Sequence, residues 1–130
     1  MILRKYMALL GIGSAKIDLI LEKETYRAGE EVKGYFLIKG GTTLQQLKRI
    51  DCDLVLIDIE EKCKEIIDSI TILTTNSIPA DTINKIPFTF KLPNSTPAST
   101  GSLSYRFKTR LVFKKGVESI DQDAIRIVKD

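Results

Sequence analysis

The sequence predicts an all-β fold, a two-sheet antiparallel β-sandwich with a short N-terminal helix. Three observations carry that expectation. Apolar residues recur at every second position along most of the chain, the period of half-buried strands. About seven such runs follow one another at short, regular spacing, as the strands of a sandwich do. The runs are separated by glycine, proline and charged clusters that punctuate strands rather than helices. The length, 130 residues, fits one domain, expected over 1–130 with a helical segment at 1–13.

The elements follow in order. Ala15 to Lys23 alternates around Ile17, Leu19 and Leu21, with Lys16, Asp18 and Glu22 opposite. Arg27-Ala28-Gly29-Glu30 reads as a turn, in which Gly29 can take the positive φ that a tight turn demands. Val32 to Lys39 is the next strand, and Gly34 inside it marks a bulge or a close backbone approach. Leu47 to Ile59 places Ile50, Cys52, Leu54 and Leu56 on one face and Asp51 and Asp53 on the other. Glu60-Glu61-Lys62 turns the chain, and Cys63 to Thr74 returns with Ile66, Ile70 and Ile72 in step, so the two runs form a hairpin.

Thr75 to Thr82, with Pro79, is read as a loop. Lys85 to Leu92 alternates through Ile86, Phe88, Phe90 and Leu92. Pro87 lacks an N–H, which suits a strand start or a sheet edge. Ser102 to Lys114 is the longest alternation, with Tyr105, Phe107, Leu111 and Phe113 on one face and Arg106, Lys108, Arg110 and Lys114 on the other. Lys115-Gly116 turns the chain, and Ala124 to Val128 is the last strand. The one helical pattern is Met1 to Leu10, where Ile2, Leu3, Tyr6, Leu9 and Leu10 share a face that avoids Arg4 and Lys5.

Composition narrows the class. Hydrophobic residues at 43% and charged residues at 28% are ordinary globular values. A net charge of +3 is too mild to imply nucleic-acid binding, and the outward strand positions lack the aromatics on which bases stack. Two cysteines fall short of a disulfide framework and suit free thiols in a reducing cytosol. No apolar run approaches the roughly 20 residues of a membrane span. The first residues also lack the order of a signal peptide, since the charges lie inside the apolar stretch and Gly11-Ile12-Gly13-Ser14 follows at once. A cytoplasmic location is expected.

Specific stretches add a resemblance. Tyr26-Arg27-Ala28-Gly29-Glu30-Glu31-Val32-Lys33-Gly34 resembles the early strand-turn-strand signature of arrestin-like, immunoglobulin-like sandwiches. Ile86-Pro87-Phe88-Thr89-Phe90-Lys91-Leu92-Pro93, followed by Thr96-Pro97-Ala98-Ser99, resembles their mid-domain motif, and Tyr105-Arg106-Phe107 their next strand. Gly11-Ile12-Gly13-Ser14-Ala15-Lys16-Ile17-Asp18, Leu21-Glu22-Lys23 and Ile38-Lys39-Gly40-Gly41 are similar to the bacterial sporulation-control, stage-zero M family. The resemblance covers roughly Leu9 to Ile127 and implies an arrestin-like fold with a regulatory, non-enzymatic role. Members of that family usually carry a second sandwich, which this chain does not include.

The side chains themselves point away from catalysis. There is no histidine, so the commonest general base and metal ligand is missing. Cys52 falls on an inward position, and Cys63 stands at a turn without a base to activate it. Two cysteines without histidine make neither a zinc site nor a nucleophile pair, and Gly11-Ile12-Gly13-Ser14 lacks the ending of a phosphate loop. Asp51/Asp53 and Glu60/Glu61 read as solvated carboxylates. No catalytic residue, metal or cofactor is expected.

The expected binding surfaces are two. Arg106, Lys108, Arg110 and, after Val112, Lys114 lie on one strand face, where neighbouring same-face positions are roughly 6.6–6.8 Å apart, a basic stripe that suits an acidic or phosphorylated peptide or an anionic lipid. The plainer role of such a stripe is to keep a solvent-facing strand soluble. The apolar face Ile2, Leu3, Tyr6, Leu9 and Leu10 suits docking on the chain's own sandwich, on a second copy, or on a membrane surface. The first functional expectation is a protein-interaction module working by strand addition at a sheet edge. The alternative is a peripheral membrane-surface module that uses the N-terminal segment and the basic face together.

Overall fold

The computed structural model describes residues 13–116 and 118–129. The expected helix, with Ile2, Leu3, Tyr6, Leu9 and Leu10, lies outside them. Among the described residues the strands are β1 (Lys16–Leu21), β2 (Thr25–Arg27), β3 (Glu31–Lys39), β4 (Gln45–Asp58), β5 (Cys63–Leu73), β6 (Ser77–Ile78), β7 (Ile83–Lys91), β8 (Leu103–Phe113) and β9 (Glu118–Val128).

They form two sheets. The smaller has the order β1-β3-β7, and the larger β2-β9-β8-β4-β5, with β6 beside β4. The sheets meet through the inward rows that the alternation foretells. Phe36 of β3, Phe88 and Phe90 of β7, and Phe107 of β8 interlock, with Phe88 5.1 Å from Phe36 and 5.6 Å from Phe107, both edge to face. Phe90 meets Phe107 edge to face at 5.1 Å. Edge-to-face rings add roughly 0.5–1.5 kcal/mol per pair to the area they bury. Tyr26, Tyr105, Leu111 and Phe113 close the same core. The Tyr105 hydroxyl donates to the Pro97 carbonyl at 2.6 Å, which satisfies the one polar atom of a buried ring.

Two glycines are explained by the backbone. Gly29 has φ +81°, the left-handed conformation expected of its turn. A Cβ at Gly34 would stand 2.0 Å from the Ile20 carbonyl oxygen, so β1 and β3 pair closely only because that position is bare. Pro87 lies within β7, an edge strand of the smaller sheet, where a missing N–H is tolerated.

Several elements differ from the sequence reading. The sandwich is antiparallel except at β2, which pairs in parallel with β9 through Tyr26 opposite Ile127. The loop around Pro79 contains β6, and the turn at Arg27 is entered through β2. β9 begins at Glu118 rather than Ala124, because its first inward residues are Ser119, Asp121 and Asp123 instead of apolar ones. Ile66 is out of step with Ile70 and Ile72: the β4–β5 register shifts between Leu54 and Val55, so Asp68 pairs with Leu54, Ile66 with Val55, and Ile67 is the extra residue. The outward row of β5 therefore changes from Thr71 and Ser69 to Ile66 and Lys64.

Candidate interaction surfaces

The outer face of the larger sheet is a grid of cross-strand ladders. Across β9, β8, β4 and β5 its rows are Glu118–Val112–Arg49–Leu73, Ile120–Arg110–Asp51–Thr71, Gln122–Lys108–Asp53–Ser69, and Ala124–Arg106–Val55–Ile66. Arg106, Lys108 and Arg110 do stand in one file, as expected. Their strand is interior, however, flanked by β9 and β4, so the file cannot serve to guard a sheet edge. Lys114 is not in line: β8 ends at Phe113, Val112 is buried, and Lys114 is exposed in the turn beyond.

The charges on this face are unevenly matched. Asp51 accepts from the Arg49 Nε at 2.9 Å and from the Thr71 hydroxyl at 3.1 Å. Asp53 accepts from the Ser69 hydroxyl at 2.6 Å. Arg106 donates through Nη1 to Gln122 Oε1 at 3.0 Å. Lys108 and Arg110 form no ion pair among the described residues, although both face a carboxylate strand.

Beside this file lies a groove of about 330 Å³ lined by the apolar Val55, Ile57 and Ile66 and by the polar Asp53, Lys64, Glu65, Arg106, Lys108, Arg110 and Gln122. Sequence reasoning missed its apolar floor because Ile66 was assigned inward. The adjacent pair Ile66-Ile67 was the available signal, since two successive apolar residues in an alternating strand fit a bulge. A larger hollow of about 610 Å³ opens beside β2 and the Gly29 turn. Its polar groups are already engaged: Lys23 pairs with Glu30, and the Tyr26 hydroxyl donates to the Lys23 carbonyl at 2.9 Å.

At the opposite end of the larger sheet, β9 turns polar side chains onto the edge of β1. The Ile17 N–H donates to Ser119 Oγ at 3.3 Å, and the Leu19 N–H to Asp121 Oδ2 at 2.9 Å. Asp18, Asp121 and Asp123 each bring a carboxylate oxygen within 4.8 Å of the others. Burial first, then the hydrogen bond and charge of Asp121 and the charge of Asp18, push the Asp123 carboxyl up to about 7. Asp18 is raised by burial and by Asp121, with Lys39 opposing. Asp123 Oδ2 is buried without a hydrogen-bond partner among the described residues. These oxygens are of the kind that hard cations take, and equally of the kind that share a proton. Neither Asp121 nor Asp123 was singled out in the sequence, where they lie between the Lys115-Gly116 turn and the strand expected from Ala124.

The cysteines fall as read. Cys52 is buried, accepts the Thr109 hydroxyl at 3.5 Å, and is pushed up to about 12 chiefly by burial. Cys63 is exposed and free.

A family profile described as SpoOM protein matches residues 3–129. The sporulation-control protein spo0M of Bacillus subtilis (strain 168) is 37% identical over 128 residues, covering 94% of this chain. The crystal structure of Spo0M from Bacillus subtilis superposes with a TM-score of 0.80 at 34% identity over 89% of the chain. In each case the chain spans 50% of the relative's length. The Pseudomonas fluorescens alkylpurine DNA glycosylase AlkC, bound to DNA with an abasic site analog, shares the fold alone, with a TM-score of 0.51 at 13% identity, over 92% of this chain and 32% of that one.

Proposed function

The chain belongs to the SpoOM protein family, and we propose on that premise that it is a non-catalytic regulatory module that binds protein partners in the cytoplasm. The observation that carries the reading is the file Arg106, Lys108 and Arg110. It is central in a six-stranded sheet, outward-facing, and incompletely neutralised by its own neighbours. Cations presented in a row steer a partner's carboxylates and fix their register, so such a row supports association and partner choice. The relative's name, a sporulation-control protein, supports a regulatory role. No helix among the described residues is long and apolar enough to cross a membrane.

The test is affinity capture from native bacterial lysate with the full chain. Wild type is run beside a variant carrying Arg106→Glu, Lys108→Glu and Arg110→Glu, after both are shown to fold. A protein retained by wild type and lost by the variant supports the reading. Retention of no protein above background, or identical retention by both chains, counts against this face.

A further inference from the structure

We propose that the groove beside the basic file docks an extended acidic segment of a partner protein, anchored by one apolar side chain against Val55, Ile57 and Ile66. This rests on the interaction reading above and names the chemistry of its ligand.

The bulge in β5 builds the site. In a straight strand continuing the Leu54–Asp68 register, Ile67 would face outward opposite Val55 and Ile66 would face the core. The extra residue reverses this: Ile67 is half-buried against the core, and Ile66 stands 59% exposed on the outer face. It comes to rest in the row with Val55 and Arg106, while Ile57 lies one step along, beside Lys64. An isoleucine held out of a core that had room for its neighbour is not placed there by burial. Bulges re-aim side chains in this manner at binding surfaces.

Charge complementarity sets the occupant. The groove lining carries four cations, Lys64, Arg106, Lys108 and Arg110, against two carboxylates, Asp53 and Glu65. Asp53 already accepts the Ser69 hydroxyl, and Arg106 spends one of its five N–H donors on Gln122. The remaining donors suit carboxylates that flank an apolar residue, at the two-residue spacing of an extended chain. A membrane surface is flat, whereas Val55, Ile57 and Ile66 line, together with the cations, a groove of about 330 Å³, room for a short stretch of chain.

The probe is a phage-displayed library of random dodecapeptides panned on the full chain, with the best peptides then titrated by fluorescence anisotropy. Enriched peptides should be acidic around one leucine, isoleucine or phenylalanine. Their affinity should fall about tenfold or more with Ile66→Asp, and again with Arg106→Glu plus Lys108→Glu, and should weaken as salt rises. Ile66→Ser, with Thr71→Ser as a control outside the groove, separates loss of the anchor from any effect of a new charge. Enrichment of basic or uncharged peptides, or equal binding by all variants, overturns the proposal. So does sedimentation of wild type, but not the charge-reversed chain, with phosphatidylglycerol vesicles when no acidic peptide binds. A dimer lost in Ile66→Asp would assign the groove to a second copy instead. If lysate capture is still lost on charge reversal while no acidic peptide is enriched, the groove fails and the broader interaction reading stands.

Discussion

Two strands of this sandwich meet the same physical problem and are treated differently. β1 and β5 each lie at the end of a sheet and have a strand partner on one side only. At β1 the exposed amides are taken up by the other sheet: Ile17 donates to Ser119, Leu19 to Asp121, and Ala15, just ahead, to Gln45 Oε1 at 2.6 Å. At β5 no hydrogen bond from the other sheet is present among the described residues; the Ser69 N–H donates to Asp68 Oδ1 of its own strand at 2.9 Å, and every side chain of the strand is exposed or half-exposed. Unpaired edges invite pairing with other chains, so one side of the molecule is closed to partners by its own side chains and the other is left available. The cost on the closed side is a crowd of carboxylates, and the gain on the open side is a bulge that turns an isoleucine outward beside cations.

The comparison can be tested from its largest effect to its smallest. Phe88 touches Phe36 and Phe107 and therefore supports both sides. Phe88→Ala should destabilise by roughly 3–5 kcal/mol in chemical denaturation. Hydrogen exchange should then accelerate in β1 and β5 alike, and acceleration confined to one strand would show that the two sides are separate units.

Asp121→Ala removes the acceptor for the Leu19 amide. It should cost about 1–3 kcal/mol, the penalty of an unsatisfied buried donor, less the relief of the crowding that Asp121 imposes on Asp123. The faster exchange should appear in β1 and leave β5 unchanged. Unaltered exchange in β1 would mean that the edge is closed by something other than this side chain.

Asp123 gives the closed side a pH dependence. Its carboxyl titrates at about 7 in the folded chain against an ordinary value of 3.8, so the folded state binds the proton more tightly than the unfolded state. The favourable contribution is full below pH 3.8 and is lost as pH rises through about 7. Asp18 acts in the same direction: burial raises both carboxyls first, Asp121 adds to each, Asp18 adds to Asp123, and Lys39 moderates Asp18. The difference in stability between wild type and Asp123→Asn should therefore move against wild type between pH 4 and pH 7. A flat difference curve across that window would remove the carboxylate crowd from the account.

The smallest effects belong to exposed positions, Ile66 on the open side and Thr89 on the outer face of the smaller sheet. Ile66→Ser and Thr89→Ala should each stay within about 0.5 kcal/mol of wild type, since both residues are exposed. A large loss at Ile66 would place that side chain in the core and dissolve the contrast.

The sequence made the centre of the molecule legible and its two sides much less so. Phe88 and Phe90 flanking Thr89, Cys52 between Asp51 and Asp53, and Tyr105 and Phe107 around Arg106 alternate with the pleat, and every one of those inward residues is buried. The first half of β9 was not legible, because Ser119, Asp121 and Asp123 face inward while Ile120 is exposed, the reverse of the usual pattern. Ser119 and Asp121 are polar because they meet backbone amides of β1 rather than apolar side chains, an encounter that spans 102 positions of the chain, and Asp123 joins the carboxylates of Asp18 and Asp121. The basic file was legible as a period of two, but its place was not. Whether a strand is interior or at an edge depends on which partners it acquires.

By itself, then, the order of residues determined which faces of the central strands would be buried, because there apolar side chains alternate with the local pleat. It also determined the turn at Gly29 and the bare approach at Gly34, where local conformation or the lack of a Cβ is decisive. Only the tertiary structure decided that β8 is central, that β9 shields β1, that three carboxylates converge, and that a bulge lifts Ile66 into a cationic groove. Each of those depends on the register and order of strands distant in the chain, and periodicity within one strand carries no information about its neighbours.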